Sequence, residues 1–487
     1  MQLALTGLGR VFVQKSGRNC GSFYKYHSSM KIDGLDKTVG DVTSIYVPDP
    51  KRYDEFIEAA TISGAESRAT STLTGYLPLK NKGALEDLYN QKCAFDLQIH
   101  YGSCTRPDDF NEFDSAIILK DVRLTSYGVS TLTARGPEER AAIDETAAIS
   151  IGSFYRVFNI EEAVVRPPSF VADTFPMAIL NAGPANCGDD CDDRTDGCSV
   201  WISPYVSDDG TISFAITLNN GLTWTAQSSN SGDTHVGTAA QVDALIDSGF
   251  IYYVTASATI SRLYKVSIDS LLNGNADTIR VAETEATTPA TLIYRLAASD
   301  NYIWMVGGDG ATDGVVYTYN KYTRETIEYR LTSADFFGID VFDENHVVVV
   351  GDDDTVYYST VHGVFGPVAV APTSTNYISS VHMFSKSHWI IGSSGGLYCT
   401  SNSGASWSNR NTSAGTVRLA FYDDILGYAV DAQGTFRTLD SGNTWLRTQF
   451  NVNEEMHNIV ICQDDPNVYW ASGGEATTPG FLLKGVA

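Results

Sequence analysis

The sequence lacks long apolar runs and has few basic residues. No segment of the 487 residues approaches 18 consecutive apolar positions, so we expect no part of it to span a bilayer. Lys and Arg number 33 against 58 Asp and Glu, which gives a formal net charge of −25. This excess argues against a protein that wraps nucleic acid through its phosphates. The first ten residues have neither a basic region nor a long apolar one, so a secretory signal is not expected.

The usual motifs of catalysis and metal binding are also missing. The sequence has no His-Glu-x-x-His pair, no phosphate-binding loop of the Gly-x-x-x-x-Gly-Lys type and no Cys-x-x-Cys spacing. The Gly-x-Ser-x-Gly pattern occurs once, at Gly392–Gly396, but a strand-like run follows it where a nucleophile elbow would open a helix. We therefore predict a hairpin turn there, no enzyme activity, no cofactor and no metal.

Three of the eight cysteines cluster in the acidic stretch Asn186–Cys198, which also contains five Asp residues. Two interpretations stay open. The stretch is a loop tied by a disulfide, with or without a cation held by its carboxylates, or it is a solvated acidic loop with free thiols. The residues of the possible disulfide loop are Cys187, Cys191 and Cys198.

The composition predicts a mainly β protein in two parts. Charged residues, which include the helix formers Glu and Lys, make up only 19% of a chain that is too long for one ordinary core. Residues 1–165 contain 18 basic and 22 acidic residues, whereas residues 166–487 contain 15 and 36. The consecutive prolines in Val165–Phe170 favour a boundary there. The predicted domains are therefore 1–165 and 166–487.

An apolar strand-like run followed by a Gly/Asp-rich turn recurs seven times in the second part. Taking one residue of each run as a marker, the spacings are 52, 51, 44, 43, 38 and 41, and the markers are Trp201, Tyr253, Trp304, Val348, Ile391, Ala429 and Trp470. A period of 40–50 residues with about four short strands per unit is typical of a β-propeller. The repeat predicts about seven blades.

Three segments of the second part share the pattern Ser/Thr-x-Asp/Asn-x-Gly-x-Ser/Thr-Trp: Thr217–Trp224, Thr400–Trp407 and Thr438–Trp445. They resemble Asp-boxes, the hairpin motif of sialidase-like, sortilin-like and photosystem-assembly propellers. We expect the Asn or Asp to bind turn N–H groups, the Gly to adopt positive φ and the Trp to pack between sheets. The predicted role is structural, and the residues are Asn219, Gly221, Trp224, Asn402, Gly404, Trp407, Asp440, Gly442 and Trp445.

The first part reads as an α+β domain dominated by sheet. Strand-like patterns occur at Phe95–Tyr101, Ser115–Ser126 and Thr146–Val157. Apolar residues at helical spacing predict one helix over Asp49–Ala60 and a second, short one over Gly83–Tyr89.

This order of elements resembles that of phage tail-tube proteins. The stretches that carry the resemblance are Phe95–Tyr101, Asp114–Thr133 and Thr146–Tyr155. It implies a β-barrel or sandwich domain that forms stacked hexameric rings around a lumen through which DNA passes. The predicted fold is thus a tail-tube-like domain followed by a propeller, and the predicted function is that of a structural virion protein.

In this interpretation the propeller decorates the outside of a tail tube in the virion, and the chain is made in the host cytoplasm. The expected partners are other copies of the chain, other tail proteins, DNA in transit and, weakly, cell-surface glycans, with no membrane. The alternative is a propeller module that binds a glycan or protein, for which the candidate aromatics are Trp389, Trp407 and Tyr398. A glycosidase or an assembly factor of the photosystem type is less favoured.

Overall fold

The computed structural model divides into two compact units, residues 1–159 and 160–487. The predicted helix over Asp49–Ala60 and the loop with Cys187, Cys191 and Cys198 lie outside the described residues. The described residues are 8–14, 23–33, 69–76, 84–91, 94–101, 115–129, 144–171, 174–183, 200–232, 234–235, 243–257, 260–284, 291–309, 314–332, 334–372, 377–411, 417–431, 434–448, 456–474 and 480–486.

The first unit contains seven described strands and one helix. The predicted strand at Phe95–Tyr101 is confirmed at both ends. The short helix predicted over Gly83–Tyr89 is confirmed, but it begins one residue later and ends two residues later. The elements are β1 (Leu8–Gln14), β2 (Phe23–Asp33), β3 (Ala69–Tyr76), α1 (Ala84–Gln91), β4 (Phe95–Tyr101), β5 (Ser115–Val129), β6 (Asp144–Ile151) and β7 (Ser153–Phe158).

Six of these strands pair in a closed ring, in the order β4-β1-β2-β3-β6-β5, because β5 pairs back with β4. Such closure is the pairing pattern of a β-barrel. β7 continues from β6 along the same side of β5. Alternate apolar residues of the strands, among them Leu97, Leu119 and Ile149, form the core together with Leu85 and Leu88 of α1.

The strand that follows, β8 (Glu161–Val165), belongs to the second unit. It pairs with the last strand of the chain, from Val165 opposite Leu482 to Glu161 opposite Val486. The boundary between the units therefore follows Asn159 rather than Val165. Phe170, in the predicted linker, is buried in a cluster with Trp201 and Trp470. Consecutive prolines end regular structure, but they do not show to which unit the preceding strand belongs.

The described part of the second unit forms seven antiparallel sheets. Each has four strands in sequence order, with β9 added to the first sheet and β8 supplying the fourth strand of the last. The first sheet contains β9 (Phe175–Pro176), β10 (Leu180–Gly183), β11 (Val200–Val206), β12 (Ile212–Thr217) and β13 (Thr225–Ser228). The second contains β14 (Ala244–Asp247), β15 (Phe250–Ala256), β16 (Ser261–Ser267) and β17 (Thr278–Glu283), with α2 (Ile268–Leu272) after β16. The third contains β18 (Leu292–Ala298), β19 (Tyr302–Gly308), β20 (Gly314–Asn320) and β21 (Thr326–Thr332).

The remaining four sheets have the same arrangement. They are β22 (Phe336–Val341), β23 (Val347–Gly351), β24 (Val356–Val361) and β25 (Val364–Pro367); β26 (Ile378–Met383), β27 (Trp389–Ser393), β28 (Gly396–Thr400) and β29 (Ser408–Asn411); β30 (Arg418–Phe421), β31 (Gly427–Asp431), β32 (Gly434–Thr438) and β33 (Leu446–Arg447); and β34 (Met456–Ile461), β35 (Val468–Gly473) and β36 (Phe481–Val486) with β8.

The first strands of the seven sheets contact one another in succession, and the last of them, β34, contacts β10 of the first sheet. Sheets arranged radially around a closed ring of inner strands form a β-propeller, here with seven blades among the described residues. Every marker of the sequence repeat, from Trp201 to Trp470, lies on the second strand of its blade and is fully buried. The predicted period is therefore confirmed. Among the described residues, no helix is long and apolar enough to cross a membrane.

Candidate functional site

The three sequence motifs lie at one equivalent place in three blades. Each is the turn between the third and fourth strands: β12 to β13, β28 to β29 and β32 to β33. In each, the side-chain oxygen of Asn219, Asn402 or Asp440 accepts a hydrogen bond from the N–H four residues later, at 2.9, 2.9 and 2.7 Å. The Thr two residues before it accepts from the Gly N–H at 2.9–3.0 Å. These bonds hold the hairpin closed.

The glycine of each turn faces the preceding blade closely. Gly442 has φ of +76°, and a Cβ there would lie 2.5 Å from the Ile390 side chain. Gly221 stands in the same relation to Trp470 of the seventh blade. The tryptophans pack at the same interfaces; Trp224 meets Trp470 edge to face with ring centroids 5.8 Å apart. The turns thus join neighbouring blades and contain no arrangement that points to chemistry.

Two further sequence predictions concern the fifth blade. Ser393 pairs with Gly396 across the turn from β27 to β28, which confirms that Gly392–Gly396 is a hairpin and not a nucleophile elbow. Of the aromatics considered for ligand binding, Trp389 is fully buried and Trp407 is half-buried, with its Nε1 donating to the Val370 carbonyl oxygen at 2.8 Å. Both pack in an apolar cluster formed by the fourth and fifth blades.

The propeller axis contains a polar cavity of about 170 Å³. Six blades contribute to it, because its lining residues lie on or next to the first strands of every blade except the first. Its charged and polar side chains are Asp243, Arg295, Ser379, Ser380, Arg418, His457 and Asn458. A second cavity, of about 390 Å³, adjoins it and shares Asp243, Leu296 and Asn458.

Two arginines in this cavity donate to the same carbonyl group. Arg418 is 5% exposed, and its Nε donates to the His457 carbonyl oxygen at 3.0 Å while its Nη1 donates to that of Ser379 at 2.8 Å. Nη2 of Arg295 also donates to the His457 oxygen, at 3.3 Å, and its Nη1 donates to the Tyr294 oxygen at 2.6 Å. Two positively charged guanidiniums therefore share one neutral acceptor.

Among the described residues, Asp243 is the single acidic one that lines the 170 Å³ cavity. Its carboxylate accepts a hydrogen bond from the Leu296 N–H at 2.9 Å. Burial raises the pKa of this carboxyl group, and the positive charge of Arg295 opposes the rise. One carboxyl whose ionisation is disfavoured thus faces two guanidiniums that remain charged.

The imidazole of His457 adds no positive charge at neutral pH. Its Nε2 lies 2.7 Å from the Gly474 carbonyl oxygen, which can only accept, so Nε2 carries the proton. Burial, with a smaller contribution from the charges of Arg418 and Arg295, lowers the pKa of His457 to about 4, although the hydrogen bond to Gly474 opposes the shift. The described lining of the axial cavity is therefore positively charged, in a strongly acidic protein.

Sequence reasoning did not nominate Asp243, Arg295, Arg418 or His457. They lie in separate blades, and no local motif joins them. The available signal was weak: each is a charged or titratable residue in or beside an inner strand. Among the described residues, no group of three or more His, Cys, Asp and Glu side chains is placed to hold a metal ion.

Comparison with known proteins finds similarity to solved propellers. One is YCF48 from Cyanidioschyzon merolae, 14% identical over 67% of this chain and 98% of that chain, with a TM-score of 0.47. Another is the WD40 propeller domain of Doa1, which is 10% identical over 67% of this chain and 97% of that chain, with a TM-score of 0.46. The RRP9 WD40 repeats are 9% identical over 68% of this chain and 98% of that chain, with a TM-score of 0.48. Neither a protein-family model nor a curated protein matches the chain. The propeller assignment therefore rests on the seven sheets themselves.

Proposed function

We propose that the chain is a structural virion protein of a tailed phage, a tail-tube subunit whose first unit self-assembles and whose propeller decorates the outside. The observation that carries this proposal is the set of open strand edges that the first unit keeps although six of its strands close into a ring. Open edges are the places where a second subunit can add strands and continue a sheet. A tube of stacked rings requires such edges on every subunit.

One such open edge belongs to β5. Only its first half, Ser115–Val122, pairs with β4, so on that side Arg123–Val129 has no partner among the described strands. Most side chains of this second half are exposed, and Val129 is 44% exposed. β7 likewise pairs with β5 alone among the described strands. These two edges support pairing between copies.

In this proposal the propeller lies on the outside of the tail tube. We infer that its three related turns are Asp-boxes with a purely structural role. The acidity of residues 166–487 would keep neighbouring decorations apart by repulsion. The proposed partners are other copies of the chain and other tail proteins, with DNA passing through the lumen. The proposed location is the phage virion.

The test is negative-stain electron microscopy of the full-length chain over a concentration series, with light scattering for the mass. We expect rings or tubes with regularly spaced peripheral knobs. Val129→Glu should reduce assembly, because it adds charge at the open β5 edge, whereas Leu222→Glu, at a propeller residue that is 83% exposed, should not. A wild-type chain that stays monomeric at the highest concentration would refute the proposal.

A second candidate function, a binding module, is supported by the positively charged axial cavity described above. In that case the propeller would be the functional unit. No described arrangement favours a glycosidase over this candidate.

A further inference from the structure

We propose that the axial cavity of the propeller binds a small oxyanion, a carboxylate or a phosphate group, at the guanidiniums of Arg295 and Arg418. This site does not depend on the assembly role proposed above. It would stand if the chain were a monomeric binding module, and it would also stand in a tube.

The first argument is charge. Both guanidiniums donate to the carbonyl oxygen of His457, at 3.0 and 3.3 Å, so the two cations are near neighbours. The described residues of the lining include one carboxyl group, that of Asp243, whose carboxylate already accepts the Leu296 N–H. Like charges held close together in a partly desolvated place repel each other, and an anion placed between them relieves that repulsion.

The second argument is hydrogen-bonding capacity. A guanidinium has five N–H donors, and Arg295 uses two atoms, Nη1 and Nη2, to bind carbonyl oxygens. Its remaining donors have no partner among the described residues. Arg295 is also only half-buried, unlike Arg418, so it is the more accessible of the two cations. The planar fork of donors on Arg matches the oxygens of carboxylate and phosphate groups.

The third argument is space. A volume of about 170 Å³ is well above what one water molecule requires, and the adjoining cavity of about 390 Å³ can take the rest of a larger molecule. The hydroxyl groups of Ser379 and Ser380 both donate to the Val417 carbonyl oxygen at 2.7 Å, so they are occupied within the protein. Recognition therefore falls to the arginines, which select an anion and exclude a cation.

The experiment measures thermal unfolding and titration calorimetry of the full chain with inorganic phosphate and, separately, acetate, against chloride at the same ionic strength. A ligand that binds only the native state raises the melting temperature, by roughly 2 °C or more once it is well above its dissociation constant. Arg295→Gln should abolish this rise and weaken binding at least about tenfold. Arg280→Gln, at an exposed arginine paired with Glu283 on β17, should leave both unchanged.

The two probes distinguish the source of the oxyanion, since a phosphate site prefers phosphate and a carboxylate site prefers acetate. Arg295→Lys provides a second variant if Arg295→Gln does not fold, because it keeps the charge but loses the fork; it should bind measurably but more weakly. The proposal is wrong if neither anion binds the wild-type protein. It is equally wrong if both Arg295 variants bind as the wild type does.

Discussion

The carboxylate of Glu162 accepts a hydrogen bond from the hydroxyl group of Tyr469, which lies 307 positions later in the sequence. The same carboxylate oxygen accepts from Oγ1 of Thr448 at 2.8 Å. Tyr469 is on β35 of the seventh blade, and Thr448 follows β33 of the sixth. One side chain on β8 thus joins the closing strand to two blades.

Glu162→Ala should therefore loosen the closure of the propeller. Hydrogen bonds to charged groups contribute about 1.5–3 kcal/mol each, so we expect the free energy of unfolding to fall by about 2 kcal/mol. Glu161→Ala is the matched control, because Glu161 is exposed on the same strand and should cost little. Urea unfolding of both variants and of Tyr469→Phe checks this. Equal losses in Glu161→Ala and Glu162→Ala would contradict it.

The position of the boundary makes a separate prediction about fragments. A fragment of residues 160–487 keeps β8 and should fold as a stable propeller. A fragment of residues 166–487 lacks β8, so the edge of β36 is left open and the seventh blade has three strands. It should melt at a lower temperature and associate through that edge. Calorimetry measures the melting temperature of each fragment, and light scattering measures its association. Identical results for the two fragments would show that the propeller does not need β8.

We expect the protein to become more stable when the charge of Asp440 is removed. Asp440 is 3% exposed, whereas Asn219 and Asn402 at the equivalent positions are exposed. Burial raises the pKa of Asp440 above its ordinary value, although hydrogen bonds from Thr444 oppose this. The native state then holds the proton more tightly than the unfolded state, so stability falls as the pH rises from the ordinary pKa through the native one.

Asp440→Asn removes this decline and retains the turn, because Asn219 accepts the equivalent N–H and donates its amide to the equivalent Thr hydroxyl in its own turn. We expect the variant to be at least as stable as the wild type at pH 7, with a smaller advantage near pH 4. Asp440→Ala, which loses the bonds, should cost about 1–2 kcal/mol. Thermal unfolding at both pH values tests this order of stabilities. Asp440→Asn being as unstable as Asp440→Ala would overturn the prediction.

His457 predicts a loss of stability in mild acid. Burial lowers its pKa from 6.5 to about 4, so between these values the unfolded state takes up a proton that the native state does not. Stability is therefore complete above pH 6.5 and declines as the pH falls towards 4, by about 3 kcal/mol in all. His457→Gln should flatten this part of the curve of unfolding free energy against pH. An unchanged slope in the variant would assign the acid sensitivity to other groups.

Much of the fold could be predicted because its signals are local or periodic. β4 shows a strand pattern over seven residues, and each blade repeats a buried run on its second strand, so Trp201, Trp304 and Trp470 could be aligned by spacing alone. The three turns were equally visible, since the hydrogen bonds that close each hairpin lie within eight residues.

The closing strand and the axial cavity could not be predicted in the same way. β8 pairs with a strand at the other end of the chain, and its sequence, Glu-Glu-Ala-Val-Val, shows no sign of that partner. The cavity combines residues from six blades, such as Arg295 and Arg418, whose meeting depends on the radius of the inner ring. Sequence spacing does not report that radius.

Because β8 pairs with β36, the last strand of the chain, β8 is synthesised long before its partner. Ribosomes add about 5–20 residues per second, so β8 leaves the ribosome roughly 15–60 s before its partner exists. During that time it is a strand with an open edge, exposed to every other nascent chain. Its two consecutive glutamates, Glu161 and Glu162, place charge on that edge, and charged edges resist wrong pairing. Glu162, which stabilises the closed propeller in the native state, thus also opposes wrong pairing of β8 before β36 has been made.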